Sequence, residues 1–410
     1  MSKRALILVE GTRSNGLLYV KAAQCLGLYP ITLAADPARH DYLAAGGCEE
    51  IRVDTSNFDA LIRECSRLNA TYTIAGITSA DELVYGTVGK LCRYFDLPGP
   101  NPTSIEQCCD KFVQRQLLEH ANVPIPVFRL GTNATEIESA VAEIGLPVVL
   151  KPTVGHGSIG VRLCRDANEL AEHTTYLLGE NHMWPSSSPR ILVEEFAQGP
   201  HFSADIMGAQ IVGICAVEDG PPPHFVCRGY THPASLTDEE YKRISRVSLS
   251  CMQALNLGWG PSFVELAWTA RGPVVIEVNP RLAGGANPRL VQRSCGIDLV
   301  AEHLKLVIGE GLNLRRTHSQ AAGVRFLIAD RNGTLDRIRG DLRAAEIPGV
   351  VEVDLYVGPK TPIVRKGDYR DRMGHVIAVS PSQTRTAAIL QSAVDLISWS
   401  ISPFPTRGEQ

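Results

Sequence analysis

Short apolar runs and longer amphipathic ones alternate through the first hundred residues. Residues 5–9 (ALILV) read as a buried strand, 15–28 (NGLLYVKAAQCLGL) as a helix and 29–36 (YPITLAAD) as a second strand. Residues 58–69 predict a helix, 70–77 a strand and 79–95 another helix. Short continuous apolar runs bounded by turn residues suit strands covered on both faces, and an apolar repeat near 3.6 residues suits the helices that cover them. The βαβαβ order predicts a parallel sheet with helices packed on it. A stretch dense in Pro and Gly, 96–104 (DLPGPNPTS), marks a boundary or hinge, and a helix follows with Ser104 as its N-cap and Lys111 inside it.

Beyond the hinge the pattern changes. Residues 123–130 and 145–164 read as strands with a helix over 133–145 between them, and a helix over 166–181 precedes a polar loop at 182–190. Strands are expected at 191–196, 201–218 and 261–280, with a helix over 237–257. From 320 onward the chain is rich in strands and ends in a helix around 384–400. Three consecutive α/β or α+β modules follow from this pattern, without internal repeats or low-complexity tracts.

Composition narrows the function more than the fold. With 410 residues, 44% hydrophobic and 20% charged, the chain is an ordinary globular one, long enough for several domains. A net charge of −4 gives no basis for non-specific binding to nucleic acid or to an anionic membrane, so neither is expected as a partner. Any polyphosphate must be held by local groups. Eleven cysteines without a CxxC pair read as reduced thiols, which predicts a cytoplasmic location. The apolar stretch near the start, Ala5 to Val9, is too short for a signal segment or a membrane span. Gly11 and Gly16 lie in the first strand–helix turn and Asp36 ends the second strand, but GTRSNG is not GxGxxG, so a nicotinamide or flavin site is not expected there.

Four stretches carry candidate chemistry. In 274–285 (VVIEVNPRLAGG), Glu277 and Asn279 project to one face of a strand and Val274, Ile276 and Val278 to the other. A buried carboxylate demands a cation, and either a metal ion or a salt bridge to Arg281 would supply it. In 263–268 (FVELAW), Glu265 repeats the anomaly, and the short loop 269–273 makes the two strands a hairpin. Glu265, Glu277 and Asn279 would then offer three hard oxygen ligands of the kind Mg²⁺ takes, with phosphates and water completing its shell. In 151–161 (KPTVGHGSIGV), Lys151 precedes Gly155, Gly157 and Gly160, interleaved with His156 and Ser158. Such a loop can turn backbone N–H groups onto a phosphate, although a plain hairpin with an exposed lysine fits the same letters. In 191–199 (ILVEEFAQG), Glu194 and Glu195 alternate faces; one could meet an adenine amine, or both could be exposed acids. His182, His224, His232 and His375 lack metal-ligand spacing and read as loop or packing residues, and 219–233 either covers the site or forms a rigid surface loop.

Taken in order, Lys111, the KP-glycine flap, VEEF, Glu265 and EVNPR resemble the ATP-grasp superfamily, and the spacing of Glu265 and Glu277 is similar to that of its biotin-carboxylase-like branch. Residues 272–300 most resemble the L-amino-acid ligases and related carboxylate–amine ligases. The resemblance implies an N-terminal Rossmann-like pre-ATP-grasp domain at 1–104, an ATP-grasp domain at 105–315 with a lid at about 125–192, and a C-terminal α+β domain at 316–410. It implies ATP with Mg²⁺ (or Mn²⁺), small carboxylate and amine substrates, and a homodimer. Lys111 and Lys151 would hold phosphates under the flap of Gly155, His156, Gly157, Ser158 and Gly160. Glu194, beside Glu195 and the backbone near Ala197, would read adenine. His201 stands where such ligases often carry a ribose-binding Glu, so a carboxylate is missing there, although an imidazole can also bond a hydroxyl. Glu265, Glu277 and Asn279 would ligate the metal. Arg281 would steady an acyl phosphate, with Lys151 also catalytic and Gly284 and Gly285 forming the substrate-side loop. Asn287 and Arg289 fall where selectivity is expected. The implied reaction is amide formation between two amino acids or similar molecules. Competing readings are an ATP-dependent carboxylase acting on bicarbonate, a nucleotide-binding module without catalysis and, most weakly, a nicotinamide oxidoreductase.

Overall fold

The computed structural model describes residues 3–12, 15–40, 43, 46–179 and 189–405. Strands β1 (Arg4–Val9), β2 (Tyr29–Ala34), β3 (Glu49–Arg52) and β4 (Thr73–Thr78) form a parallel sheet in the order β3-β2-β1-β4. Every residue from Ala5 to Val9 is at most 1% exposed, because a parallel sheet is covered on both faces. Helices α1 (Gly16–Cys25), α2 (Phe58–Asn69) and α3 (Glu82–Tyr94) alternate with these strands. Asn57 and Asp81 start α2 and α3 by accepting hydrogen bonds from Ala60 N and Leu83 N. The sequence pattern gave no hint of β3. As an edge strand with the sequence EEIR, it has no apolar run to betray it.

The expected helix after the hinge is two helices, α4 (Pro102–Cys109) and α5 (Lys111–His120). Asn101, not Ser104, caps α4, and Ser104 lies inside that helix. Asp110 is extended (φ −94°, ψ 107°) and caps α5 through Phe112 N and Val113 N. This break puts Lys111 at the first position of a helix, where its N–H has no intrahelical acceptor and instead donates to Thr153 O at 2.7 Å.

A second, antiparallel sheet joins β5 (Phe128–Gly131), β6 (Val148–Pro152), β7 (Arg162–Cys164) and β8 (Ile191–Glu195) in the order β5-β8-β6-β7. Helices α6 (Ala134–Ile144) and α7 (Ala167–Leu178) pack on it through Ile137, Val141, Leu170 and Leu177.

The largest sheet is antiparallel, with eight strands. These are β9 (His201–Met207), β10 (Gln210–Asp219), β11 (Cys227–His232), β12 (Pro261–Thr269), β13 (Gly272–Asn279), β14 (Ala321–Ile328), β16 (Val350–Leu355) and β18 (Arg372–Ser380). Their order is β13-β12-β9-β10-β11-β14-β18-β16, so one sheet runs from the carboxylate-bearing hairpin to the C-terminal strands. Helix α8 (Asp238–Ala254) starts on a reciprocal Thr237–Glu240 capping box and buries Ile244, Cys251 and Met252 against Ile206, Val264 and Val275. Helices α9 (Asn287–Cys295) and α10 (Leu299–Val307) follow the hairpin, and α11 (Asp341–Ala345) and α12 (Gln383–Leu396) pack on the C-terminal strands.

A small sheet of β15 (Gly333–Arg339), β17 (Pro362–Ile363) and β19 (Ser398–Ser402) completes the fold. Here the expected final helix stops at Leu396. Ile397 is extended, and Trp399 in β19 donates its indole N–H to Asp330 at 3.0 Å. All eleven cysteines are unpaired. Among the described residues no helix is long and apolar enough to cross a membrane.

Candidate functional site

The β12–β13 hairpin places Glu265 directly opposite Glu277, and Phe263 opposite Asn279. One residue further the register shifts, because Leu266 pairs with Val275 and leaves Ile276 as a bulge. The alternation expected along this strand therefore holds from Glu277 to Asn279 and breaks at Ile276. The bulge turns the Ile276 carbonyl out of the ladder, where it accepts from the Arg115 guanidinium and from Lys151 Nζ at 3.5 Å.

The two carboxylates differ in their surroundings. Glu277 is bound by Lys111 at 2.8 Å; burial opposes its charge, but Lys111 and Lys151 together hold it below the usual carboxylate range. Glu265 makes no hydrogen bond or ion pair with a described residue, and burial plus the charge of Glu277 push it up to about 7. The alternative salt bridge from Glu277 to Arg281 does not form. Arg281 instead donates to Glu82 at the start of α3 (2.6 Å), sits 5.3 Å over the Phe263 ring and reaches Asn279 Oδ1 at 3.4 Å. Burial works against the Arg281 charge, yet Glu82 raises its pKa overall. Asn279 keeps a buried Nδ2 with no partner. Facing carboxylates, one without a cation, beside an amide form the oxygen-rich donor set that a hard divalent ion requires.

Two lysines border this pair. Lys111 Nζ donates to Gly155 O at 2.6 Å, which ties α5 to the glycine loop, and Glu277 keeps it charged despite burial. Lys151 Nζ meets Glu194 at 2.5 Å; burial nevertheless lowers its pKa. Glu194, 3% exposed, also accepts from Arg115 Nε at 2.5 Å, so both its oxygens are engaged. Lys111, Lys151, Arg115, Glu194 and Glu277 thus form one buried charge network at the bulge.

The glycine loop lies over it. Gly157 (φ 66°), Ser158 (φ 64°) and Gly160 (φ 71°) have left-handed backbone, which explains the glycines and leaves Ser158 as the unusual member. Gly157 O accepts from Tyr369 N at 3.2 Å, and a Cβ on Gly157 would stand 2.4 Å from the Tyr369 ring. Its neighbour His156 has its ring 6.0 Å from that of Tyr369. Ser158 Oγ reaches Phe225 O at 3.4 Å, and Leu163 N donates to Pro223 O at 2.9 Å. The 219–233 stretch is therefore partly strand β11 and partly a loop that touches the flap. At its start Asp219 pairs with His201 Nδ1 at 2.5 Å; burial disfavours the imidazolium, but Asp219 and then Glu265 raise the pKa overall.

Comparison with known proteins bears on this arrangement. Residues 144–289 match the family model of the ATP-grasp domain, and residues 325–402 match L-amino acid ligase C-terminal domain 2. The uncharacterized protein y4rH of Sinorhizobium fredii is 59% identical over 408 residues, covering 100% of this chain and 85% of that protein. Human carnosine synthase 1 is 27% identical over 321 residues, which are 72% of this chain and 38% of that longer protein. The crystal structure of an L-amino acid ligase from Bacillus licheniformis superposes with a TM-score of 0.84 at 20% identity, covering 98% of this chain and 100% of that one. The chain belongs to the ATP-grasp superfamily, in its carboxylate–amine ligase family. It is an enzyme that forms carbon–nitrogen bonds, and enzymes of this superfamily use ATP and divalent metal ions.

Within this ATP-grasp ligase several residues matter that the sequence did not single out. Glu82 holds Arg281, Arg115 joins Glu194 to the bulge, and Asp219 orients His201. Lys111 and Arg115 stand four apart on one helix, a spacing that puts them on the same face and could have drawn attention to Arg115. Other residues take parts away from the network. Glu195 projects opposite Glu194 and binds Arg271 at 2.8 Å, and Ala197 is buried against Ala267 and Val274. Asn287, fully buried, donates to both oxygens of Asp205 at 3.0 and 3.1 Å, so its side chain packs inside. Arg289 pairs with Glu352, which also meets His375 at 3.0 Å. Ligand atoms of Glu352, Asp354 and His375 lie within 4.8 Å of one another, but both nitrogens of His375 are taken, by Glu352 and by Tyr356. His232 bonds Ser294 Oγ at 2.5 Å, and His224 packs on Gly367; His182 lies outside the described residues. Gly284 has open space where a side chain would stand, and Gly285 (φ 66°) faces Phe326 and Arg372.

Proposed function

We propose that the enzyme joins two amino acids, or amino-acid-like molecules, through an acyl phosphate, releasing ADP and phosphate. The observation that carries this reading is the facing Glu265–Glu277 pair, bordered by Lys111 and Lys151 and covered by the glycine flap. The match to an L-amino acid ligase C-terminal domain and the names of the relatives support amino-acid substrates. In this reading residues 1–104 form the pre-ATP-grasp domain, 105–315 the ATP-grasp domain with its lid at 125–192, and 316–410 the C-terminal domain.

Adenine is assigned to the strand end from Glu194 to Ala197, with His201, oriented by Asp219, beside the ribose hydroxyls. Lys111 and Lys151 turn from their carboxylate partners to the phosphates. Mg²⁺, or Mn²⁺, held by Glu265, Glu277 and Asn279 would neutralise phosphate charge and so lower the barrier to attack. The substrate carboxylate attacks the γ-phosphorus, and the bond to the β-phosphate oxygen breaks. The amine nitrogen then attacks the acyl carbon, phosphate leaves with the bonding pair, and the surplus ammonium proton passes to solvent. Arg281, fixed by Glu82, stabilises the charge that builds on the acyl oxygens. The flap from Gly155 to Gly160 shields the intermediate from water. The unpaired cysteines support a cytoplasmic setting.

The test is ADP release with pairs of the twenty proteinogenic amino acids, with mass spectrometry of products. Release that requires the second amino acid, with a product at the mass of the pair less water, is expected. Release that requires bicarbonate and no amine would replace the proposal with a carboxylase, and no release with any pair would contradict the substrate class.

A further inference from the structure

Arg372 opens strand β18 beside the Gly284–Gly285 turn, and no step above uses it. Its guanidinium lies 3.8 Å from the centre of the Phe326 ring, and Nη2 donates to Cys227 O at 3.2 Å. Nε is buried without a partner, and no carboxylate among the described residues pairs with the charge. Arg289, in helix α9 after the turn, has its charge met by Glu352. A half-buried guanidinium that is stacked but unmatched is costly, and its planar fork is suited to a bidentate carboxylate.

The surroundings place this charge on the substrate side of the site. Nη1 lies 3.9 Å from where a Cβ on Gly285 would stand, and Gly285 follows closely on Arg281 in the chain. Tyr230 packs edge-on against Phe326 at 6.2 Å and lies within electrostatic reach of both Arg372 and Glu265. A Cβ on Gly284 would have no heavy atom within 4 Å, so the turn before this arginine is open on that side. In the proposed reaction one carboxylate is consumed as it is activated. The carboxylate of the amine donor keeps its charge throughout and becomes the free end of the product.

We propose that Arg372 determines specificity by holding the unreacting α-carboxylate of the amine-donating amino acid beside the Gly284–Gly285 turn. This rests on the ligase reading above and adds to it the residue that distinguishes an amino acid from a simple amine as the second substrate.

The experiment compares amino acids with their carboxamides as amine donors, in the wild type and in Arg372→Ala and Arg372→Lys. The wild type is expected to prefer the acid at least about tenfold in kcat/KM. Arg372→Ala is expected to raise the KM for the acid by about tenfold or more, leave the KM for ATP and for the amide unchanged, and so erase the preference. Arg372→Lys, which keeps the charge but not the fork, is expected to fall between. Should Arg372→Ala fail to fold, Arg372→Lys decides: a KM for the acid equal to wild type overturns the proposal. An acid preference that survives in Arg372→Ala, or a wild type indifferent to the carboxylate, overturns it as well. Absence of amine-dependent turnover in the wild type removes the ligase reading instead. Calorimetric binding of the same acid and amide pairs then tests Arg372 directly: acid-selective binding lost in Arg372→Ala supports it, and binding equal in both proteins overturns it.

Discussion

Replacing Glu277 with Gln is expected to lower kcat for ADP release by about a hundredfold or more, with the thermal midpoint of unfolding changed by only a few degrees. The amide has nearly the shape of the carboxylate and can still accept from Lys111, which Glu277 meets at 2.8 Å. What it removes is charge. Glu265 stands opposite, pushed up to about 7 by burial and by the Glu277 carboxylate. Without that neighbour the repulsion disappears, Glu265 ionises more readily, and the pair can no longer present two negative groups to a divalent ion. A purely structural ion pair would give the opposite pattern, with stability reduced and turnover retained. Circular dichroism melts and a coupled ADP assay on the same preparation separate the two.

For Arg281→Lys a loss in kcat of about a hundred- to a thousandfold is expected, with the KM for ATP within a fewfold of wild type. Arg281 does three things at once: it binds Glu82 at 2.6 Å, lies over Phe263, and points toward Asn279. A lysine can keep one of these contacts but not the planar fork that makes all of them simultaneously. Because Glu82 belongs to α3 of the N-terminal sheet, the substitution also loosens the tie between that sheet and the hairpin. Single-turnover measurements of ADP formation and of product formation would show whether the loss lies before or after phosphoryl transfer. An unchanged kcat would remove Arg281 from the reacting centre.

Much of this architecture is written in local pattern. The parallel sheet follows from the alternation of apolar runs and amphipathic helices, and the β12–β13 hairpin from two anomalous glutamates joined by a short loop. What the pattern missed depends on contacts distant in sequence or on single backbone choices. Glu82 reads as an ordinary acid in the first turn of a helix, and nothing nearby shows that it reaches Arg281. Asp110 splits one expected helix in two because its side chain caps the second, a contest with helix propensity that sequence alone leaves open. The bulge at Ile276 shifts the register by one residue, and only the strand pairing reveals it. Asn287 illustrates the reverse case. Its place after the glycine loop suggested a substrate contact, whereas its partner Asp205 comes from β9 and draws it into the interior.

Crystals grown with Mn²⁺ and a non-hydrolysable ATP analogue test the account at its centre. An anomalous peak is expected about 2.1 Å from an oxygen of each of Glu265 and Glu277, with Lys111 transferred from Glu277 to a phosphate oxygen. A nucleotide bound with the Lys111–Glu277 pair intact and no metal between the two carboxylates would contradict it.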